Sequence, residues 1–343
     1  MSLARAIETG DLSELPSRRE EGWRWSDIHG LLRVMPPPSP KASAPAHPGP
    51  FAGLAEREII LVNGGDEEVV RIGPGEIQRL ALRLVAGIGA HVGRLRLEVA
   101  EGARLVLLES HESEGEAVVS ETDLAISLGE GASLDRIVLT DEADGAISVN
   151  RAEVRLSAGS RFDQTLLCAG ARRQRLESIV RHPGQGAIVR LDGVILASER
   201  RHADITTLVR HEGPGGATDQ LVKAAVSGQA RGVFQGRVVV ERGADGTDAK
   251  MGCHALVLSE RAEFDAKPEL EIFADDVACS HGNTVGALDE EALFYARQRG
   301  MGEAEARAFL LAGFLAEPLT RIDPGPVRDR LEAWLAERLE SLK

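Results

Sequence analysis

The chain has 343 residues, 43% of them hydrophobic, and a formal net charge of −14 at pH 7. That length and apolar content suffice for a sizeable core, in one elongated domain or two compact ones, and exclude a disordered protein. The acidic balance excludes a general nucleic-acid surface, because the basic groups Arg172, Arg173, Arg175 and Arg200, Arg201 are small and separated, whereas phosphate binding needs clustered cations.

Cys168, Cys253 and Cys279 are odd in number, dispersed and without a CxxC pair. They argue against a disulfide framework or a structural zinc site, and for a reducing compartment. No apolar run approaches the roughly 18 residues of a spanning helix, and the first residues lack the apolar core of a signal peptide. A cytoplasmic protein without membrane association is expected.

In residues 1–50, Leu3, Ile7, Leu12, Trp23, Trp25 and Ile28 recur at spacings that predict a small helical arm. The stretch PPPSPKASAPAHPGP, residues 36–50, is proline-rich and reads as a stiff linker, with His47 simply exposed. Residues 51–288 form the body. From Ile59 onward, short Val, Ile and Leu runs alternate with glycine and acidic turns, and helix signals are absent. VAEGARLVLLES, LGEGASLDRIVLT and LSAGSRFDQTLLC repeat one form around Gly102, Gly131 and Gly159, and Gly186 follows at similar spacing. Steps of 29, 28 and 27 residues made of strands and turns predict a solenoid of stacked parallel strands. Between Ile59 and Glu260 the aromatic residues are Phe162 and Phe234. An interior of aliphatic stacks is therefore expected, which suits a narrow β-helix better than the competing sandwich or jelly roll. The solenoid's last coil needs a cover, from the C-terminal helices or from a second subunit.

Near the end of the body, Cys279 and His281 are two residues apart and leave an extended strand on the same face. A thiolate and an imidazole suit iron, zinc or a cluster edge. Cys253 lies 26 residues before Cys279, close to one coil, so neighbouring rungs about 4.8 Å apart would bring three candidate ligands together. The plainer reading is that free cysteine is a common small core residue. Cys168 is read as structural, His254 as a bystander, and Glu269, Glu271, Asp275 and Asp276 as solvated turns and rim charges. His91, His111, His182, His202 and His211 lack metal spacing and are read as structural or exposed. No GxxxxGK[ST] motif is present, so ATP hydrolysis by this chain is not expected. Gly87, Gly89 and Gly93 miss the dinucleotide fingerprint and form a turn.

Residues 289–343 predict three short amphipathic helices. Asp289 caps the first, Glu290 and Glu291 fill its first turn, Arg297 and Arg299 its last, and Gly300 leaves it. Leu293 and Phe294 begin an apolar face, which Phe309, Leu310, Phe314 and Leu315 continue on a second helix. Pro326 opens the third, where Val327, Leu331, Leu335 and Leu339 recur every four residues. These faces are expected to pack mainly on each other and to leave a groove for a partner.

The string KPELEIFADDVACSHGNTVGALDEEALFYARQRG, residues 267–300, resembles the C-terminal signature of SufD-type members of the SufB/SufD family of iron–sulfur cluster assembly scaffolds. The resemblance implies a right-handed parallel β-helix joined end to end with a SufB-like subunit, or with a second copy in isolation. It implies that His281, preceded by the motif cysteine Cys279, lies at that interface and helps hold iron or a nascent cluster with a SufB cysteine. Cys253 falls where SufB carries an important cysteine and is the lesser candidate. The C-terminal helices would bind the ATPase SufC, with Tyr295, Arg297 and Arg299 as contact residues. No permanently bound cofactor is implied, only transient iron or a cluster shared with SufB. A non-catalytic scaffold is thus expected. The alternative is a stand-alone β-helix enzyme acting on a carbohydrate or acyl substrate, and the body's near lack of aromatics for gripping a sugar argues against it.

Overall fold

The repeat read from glycines is a left-handed turn that glycine adopts without strain. Gly102, Gly131, Gly159 and Gly186 have φ of 64°, 61°, 61° and 67°, each between the end of one strand and the start of the next. The computed structural model describes residues 2–340 apart from 44, 46, 66, 114 and 116. Its strands form two parallel sheets. The odd sheet holds β1 (Arg57–Val62), β3 (Ile77–Ala86), β5 (Arg104–Ser113), β7 (Ser133–Asp141), β9 (Arg161–Cys168), β11 (Ile188–Ala197), β13 (Ala217–Val226), β15 (Thr247–Val257) and β17 (Val277–Gly286). The even sheet holds β2 (Glu68–Ile72), β4 (Gly89–Val99), β6 (Val118–Leu128), β8 (Ile147–Leu156), β10 (Arg173–His182), β12 (His202–His211), β14 (Arg231–Val240) and β16 (Glu263–Ile272). Each strand pairs in parallel with the strand two places on, so the chain changes sheet at every turn and climbs one rung per coil. This is a parallel β-helix. A sandwich would need antiparallel neighbours.

The lumen is mostly aliphatic, as expected, with Leu80, Leu107, Leu166 and Val222 among its buried side chains. It also holds a polar stripe that the aliphatic expectation missed. Arg136, in register with the core residue Leu107, donates from Nε and Nη2 to Glu109, both at 2.7 Å, and from Nη1 to Gln164 at 2.6 Å. His111 Nε2 lies 2.6 Å from Glu109 Oε1, and Gln164 Nε2 donates to Ser178 Oγ at 2.9 Å. Burial alone would raise Glu109, but Arg136 and His111 overcome it and hold the carboxyl at about 2. The stripe survives burial because its members satisfy one another.

The outer faces are covered by the ends of the chain. Helix α1 (Leu3–Thr9) and two 3-10 turns place Leu3, Ala6, Leu15, Ile28 and Leu32 on Ala90, Val119, Ile147 and Val149 of the even sheet. The expected arm is therefore helical in part and packed down. Polar ties extend it: Arg175 donates to the Gly22 carbonyl at 2.6 Å and lies 4.3 Å from the Trp23 ring centre. In the linker, His47 is exposed but not idle, since the buried Arg83 donates to its carbonyl at 2.8 Å and lies 3.1 Å from its Nδ1.

Helices α2 (Glu290–Gln298), α3 (Glu303–Leu315) and α4 (Pro326–Glu340) follow β17. Asp289 caps α2 by accepting from the Glu291 and Ala292 amides, and Gly300 leaves it at φ 94°. The faces of α3 and α4 do not pack only on each other. Leu311, Leu315, Leu331, Trp334, Leu335 and Leu339 share one core with Leu108, Ile137, Leu139, Leu167, Val194 and Leu196, the outward residues of the odd sheet. A strand segment buried on both faces reads as a continuous apolar run, which is the texture of residues 137–139 in β7 and 166–168 in β9. Phe294 and Phe309, expected on apolar faces, are instead 64% and 60% exposed.

Candidate functional site

The last rung of the β-helix is open. Among the described residues β17 pairs only with β15 and β16 only with β14, and α3 and α4 lie along the side of the odd sheet rather than over this end. Unpaired N–H and C=O groups of both edges therefore face outward, a template for another strand. Ile272, Phe273 and Val285 are 43%, 55% and 51% exposed.

Register places the candidate ligands. Ala249, Met251 and Cys253 point into the lumen and are at most 3% exposed, and their partners on β17 are Cys279, His281 and Asn283. The three partners form one inward row with no further rung above it among the described residues. Cys279 packs against the core edge, while His281 is exposed and its ring takes no hydrogen bond among the described residues. Asn283 Oδ1 is buried without a hydrogen-bond partner. Burial pushes the Cys279 thiol up, a backbone bond at Ala249 partly offsets this, and Asp248 adds to the rise. Cys279 is thus a neutral thiol that gives up its proton only to a metal or a base.

The expected convergence of three ligands does not occur. Cys253 is opposite Asn283, and the partner of Cys279 is Ala249, because this coil takes 30 residues between Ala249 and Cys279. Cys253 and Cys279 are on neighbouring strands but four residues out of step, about 13 Å along the strand. Metal–sulfur bonds of about 2.3 Å cannot bridge that. Cys253 is fully buried, and burial pushes its thiol up to about 12. Among the described residues no three His, Cys, Asp or Glu side chains could hold a metal ion, so Cys279 and His281 are at most part of a site.

The remaining candidates separate cleanly. His254 Nδ1 is 2.8 Å from Thr284 Oγ1 on the outer face. Glu269 pairs with Lys267 at 3.1 Å and Glu271 with Arg237, so both are rim charges. Cys168 is buried. His182 and His211, adjacent across β10 and β12, form a buried edge-to-face pair with ring centres 4.0 Å apart. On α2, Tyr295 is 60% exposed; Arg299 donates to its hydroxyl at 2.7 Å and lies 5.0 Å from its ring centre. Arg297 faces Glu303 at 3.7 Å. Tyr295 and Arg299 thus act as one unit beside exposed Phe294, which the sequence pattern had placed inside.

Residues 84–314 match the family described as SUF system FeS cluster assembly, SufBD core domain. The chain belongs to the SufB/SufD family. The match covers the β-helix from the last three residues of β3 onward, the open rung, α2 and most of α3. Among SufB/SufD relatives, the iron-sulfur cluster assembly protein SufD of Escherichia coli is 40% identical over 120 residues, 35% of this chain and 28% of that protein. An iron-sulfur cluster assembly SufBD family protein of Synechocystis is 41% identical over 125 residues, 36% of this chain and 28% of its own length. One from Mycobacterium tuberculosis is 28% identical over 364 aligned positions, 96% of this chain and 91% of that protein. The chain therefore spans under a third of the first two relatives and nearly all of the third. No helix among the described residues is long and apolar enough to cross a membrane.

Proposed function

We propose that this chain is a non-catalytic SufD-type subunit of a SufBCD-type complex, with iron or a nascent iron–sulfur cluster as its cargo. The observation that carries the reading is the open last rung, whose unpaired edges frame Cys279 and His281 on one inward row. A SufB-like β-helix completes the rung by strand pairing, and His281 faces the junction. An exposed imidazole binds a metal without breaking any existing bond. Cys279 follows once the metal displaces its proton. Two donors leave the preferred four-coordinate set of iron or zinc half filled, and the partner supplies the rest.

The SufC-like ATPase docks on α2, at Tyr295, Arg297 and Arg299, where exposed aromatic and arginine side chains favour tight contact. Its motion reaches the β-helix through α3, because Lys223 of β13 pairs with Glu317 at 2.6 Å and lies 4.7 Å from the Phe314 ring centre. The complex works in the cytoplasm, and a second copy of this chain takes the partner's place in isolation. Native mass spectrometry of the protein purified without oxygen from its own host tests the reading. Recovery with a SufC-type ATPase and a second β-helix subunit is expected. A lone chain or a homodimer in every preparation would overturn it.

A further inference from the structure

Parallel, in-register stacking turns every outward position into a row. On the outer face of the odd sheet, Arg104, Ser133 and Arg161 stand opposite one another on β5, β7 and β9. Two residues further along the same strands stand Val106, Asp135 and Asp163. A cationic row and an anionic row thus run side by side, about 6.6–6.8 Å apart by the rise per residue. They floor a cleft of about 430 Å³, walled by Arg321 and Asp323 from the segment between α3 and α4.

These charges satisfy one another only in part. Asp135 and Asp163 are like charges directly opposite, an unfavourable pairing on a sheet. Asp163 is 5% exposed; Arg161 and Arg190 hold its Oδ2 at 2.8 and 3.2 Å, while its Oδ1 is buried with no hydrogen-bond partner. The ion pair of Asp135 is a long one, 3.9 Å to Arg190, and burial together with the facing Asp163 pushes its carboxyl up. The Arg104 guanidinium is exposed and forms no ion pair or hydrogen bond among the described residues, and neither does the Ser133 hydroxyl opposite it.

We infer that this cleft binds a small zwitterion, an amino acid with free ammonium and carboxylate groups, lying along the strand direction. Its ammonium sits between Asp135 and the unpartnered Oδ1 of Asp163, and its carboxylate on Arg104 and Ser133. The site lies on the side of the solenoid, apart from the open rung, and goes beyond the scaffold reading. Other ligand classes fit less well. No three acidic side chains here are arranged for a metal ion. A simple cation meets the guanidiniums of Arg104, Arg161 and Arg321, and a simple anion meets the carboxylates of Asp135, Asp163 and Asp323. A zwitterion satisfies both rows. The volume falls in the ~300–1,000 Å³ range of small-molecule sites and leaves room for a side chain over Ile77 and Val106.

Isothermal titration of the full-length chain with the twenty L-amino acids, with ethylamine and acetate as single-charge controls, tests this. The expected result is saturable binding of at least one amino acid with a Kd of about 1 mM or lower. Both controls should bind at least ~10-fold more weakly. Arg104→Gln and Asp135→Asn, at exposed positions, should each weaken that binding at least ~10-fold without lowering the thermal midpoint. Absence of saturable binding by every amino acid overturns the inference. So does ethylamine or acetate binding as tightly as the best amino acid, or wild-type affinity in both variants.

Discussion

Replacing Arg136 by methionine removes the cation that keeps Glu109 ionised inside the lumen, and its cost follows from the structure in two ways. The side chains are 5% and 1% exposed, and breaking one partner of such a pair costs about 3–5 kcal/mol, because the other charge stays buried. Independently, Glu109 is held at about 2 against an ordinary value of 4.5. That difference of about 2.5 units, at ~1.36 kcal/mol each, is on the order of 3 kcal/mol. A folded-state value below the unfolded one means the stabilisation is complete above pH 4.5 and is lost as pH falls toward 2. Urea unfolding followed by far-UV circular dichroism at pH 7 and pH 3 measures this. Arg136→Met should lose about 3 kcal/mol at pH 7 and less at pH 3, where Glu109 of the variant protonates. The double variant Glu109→Leu, Arg136→Met, which removes both charges, should cost less than Arg136→Met alone. A loss under about 1 kcal/mol at pH 7, or a double variant as costly as the single, would refute the reasoning.

Three further outcomes are expected. His281→Ala should leave the urea midpoint unchanged, because the ring is exposed, and should impair cluster assembly by the purified complex; normal assembly would sink the assignment. His182 and His211 are pushed down to about 4 and 3, in both cases chiefly by burial. The unfolded chain therefore binds protons first, and stability is complete above about pH 6.5 and falls as pH drops toward 4. His182→Leu, His211→Leu should flatten that slope in urea midpoints taken from pH 7 to pH 4.5. With iodoacetamide under native conditions, Cys279 should react slowly, and faster as pH rises, because only the thiolate attacks; peptide mapping that finds Cys253 labelled in the folded protein would contradict its place in the lumen.

The open rung was partly legible. Alternation along a strand has period two, so Cys279 and His281 share a face in any extended segment. Whether Cys253 joins them depends on coil length, and the coil between β15 and β17 takes 30 residues, not 26. Sequence spacing of 26 looked like one rung, whereas the register shows four residues of slip. Asn283 gave no signal, since an asparagine between glycine and threonine reads as a turn until its strand is placed. The exposed Phe294 and Phe309 were missed because an apolar stripe marks a buried face and a docking face alike.

The β-helix itself follows from the chain alone. Glycine at one left-handed position per coil, aliphatic runs between, and few large aromatics leave a narrow stack of parallel rungs as the arrangement that buries the apolar positions. The caps of α2, the proline opening α4 and the poverty of thiol pairs are equally local, and local chemistry is what a sequence displays. Tertiary structure decided what depends on distant residues meeting. It joined Glu109 to Arg136 in the lumen, set α3 and α4 on the odd sheet rather than over the open end, and drew Asp135 and Asp163 side by side. Each of these contacts lies a coil or more away along the chain. They arise because stacking in register converts a separation of some thirty residues into one rung of about 4.8 Å.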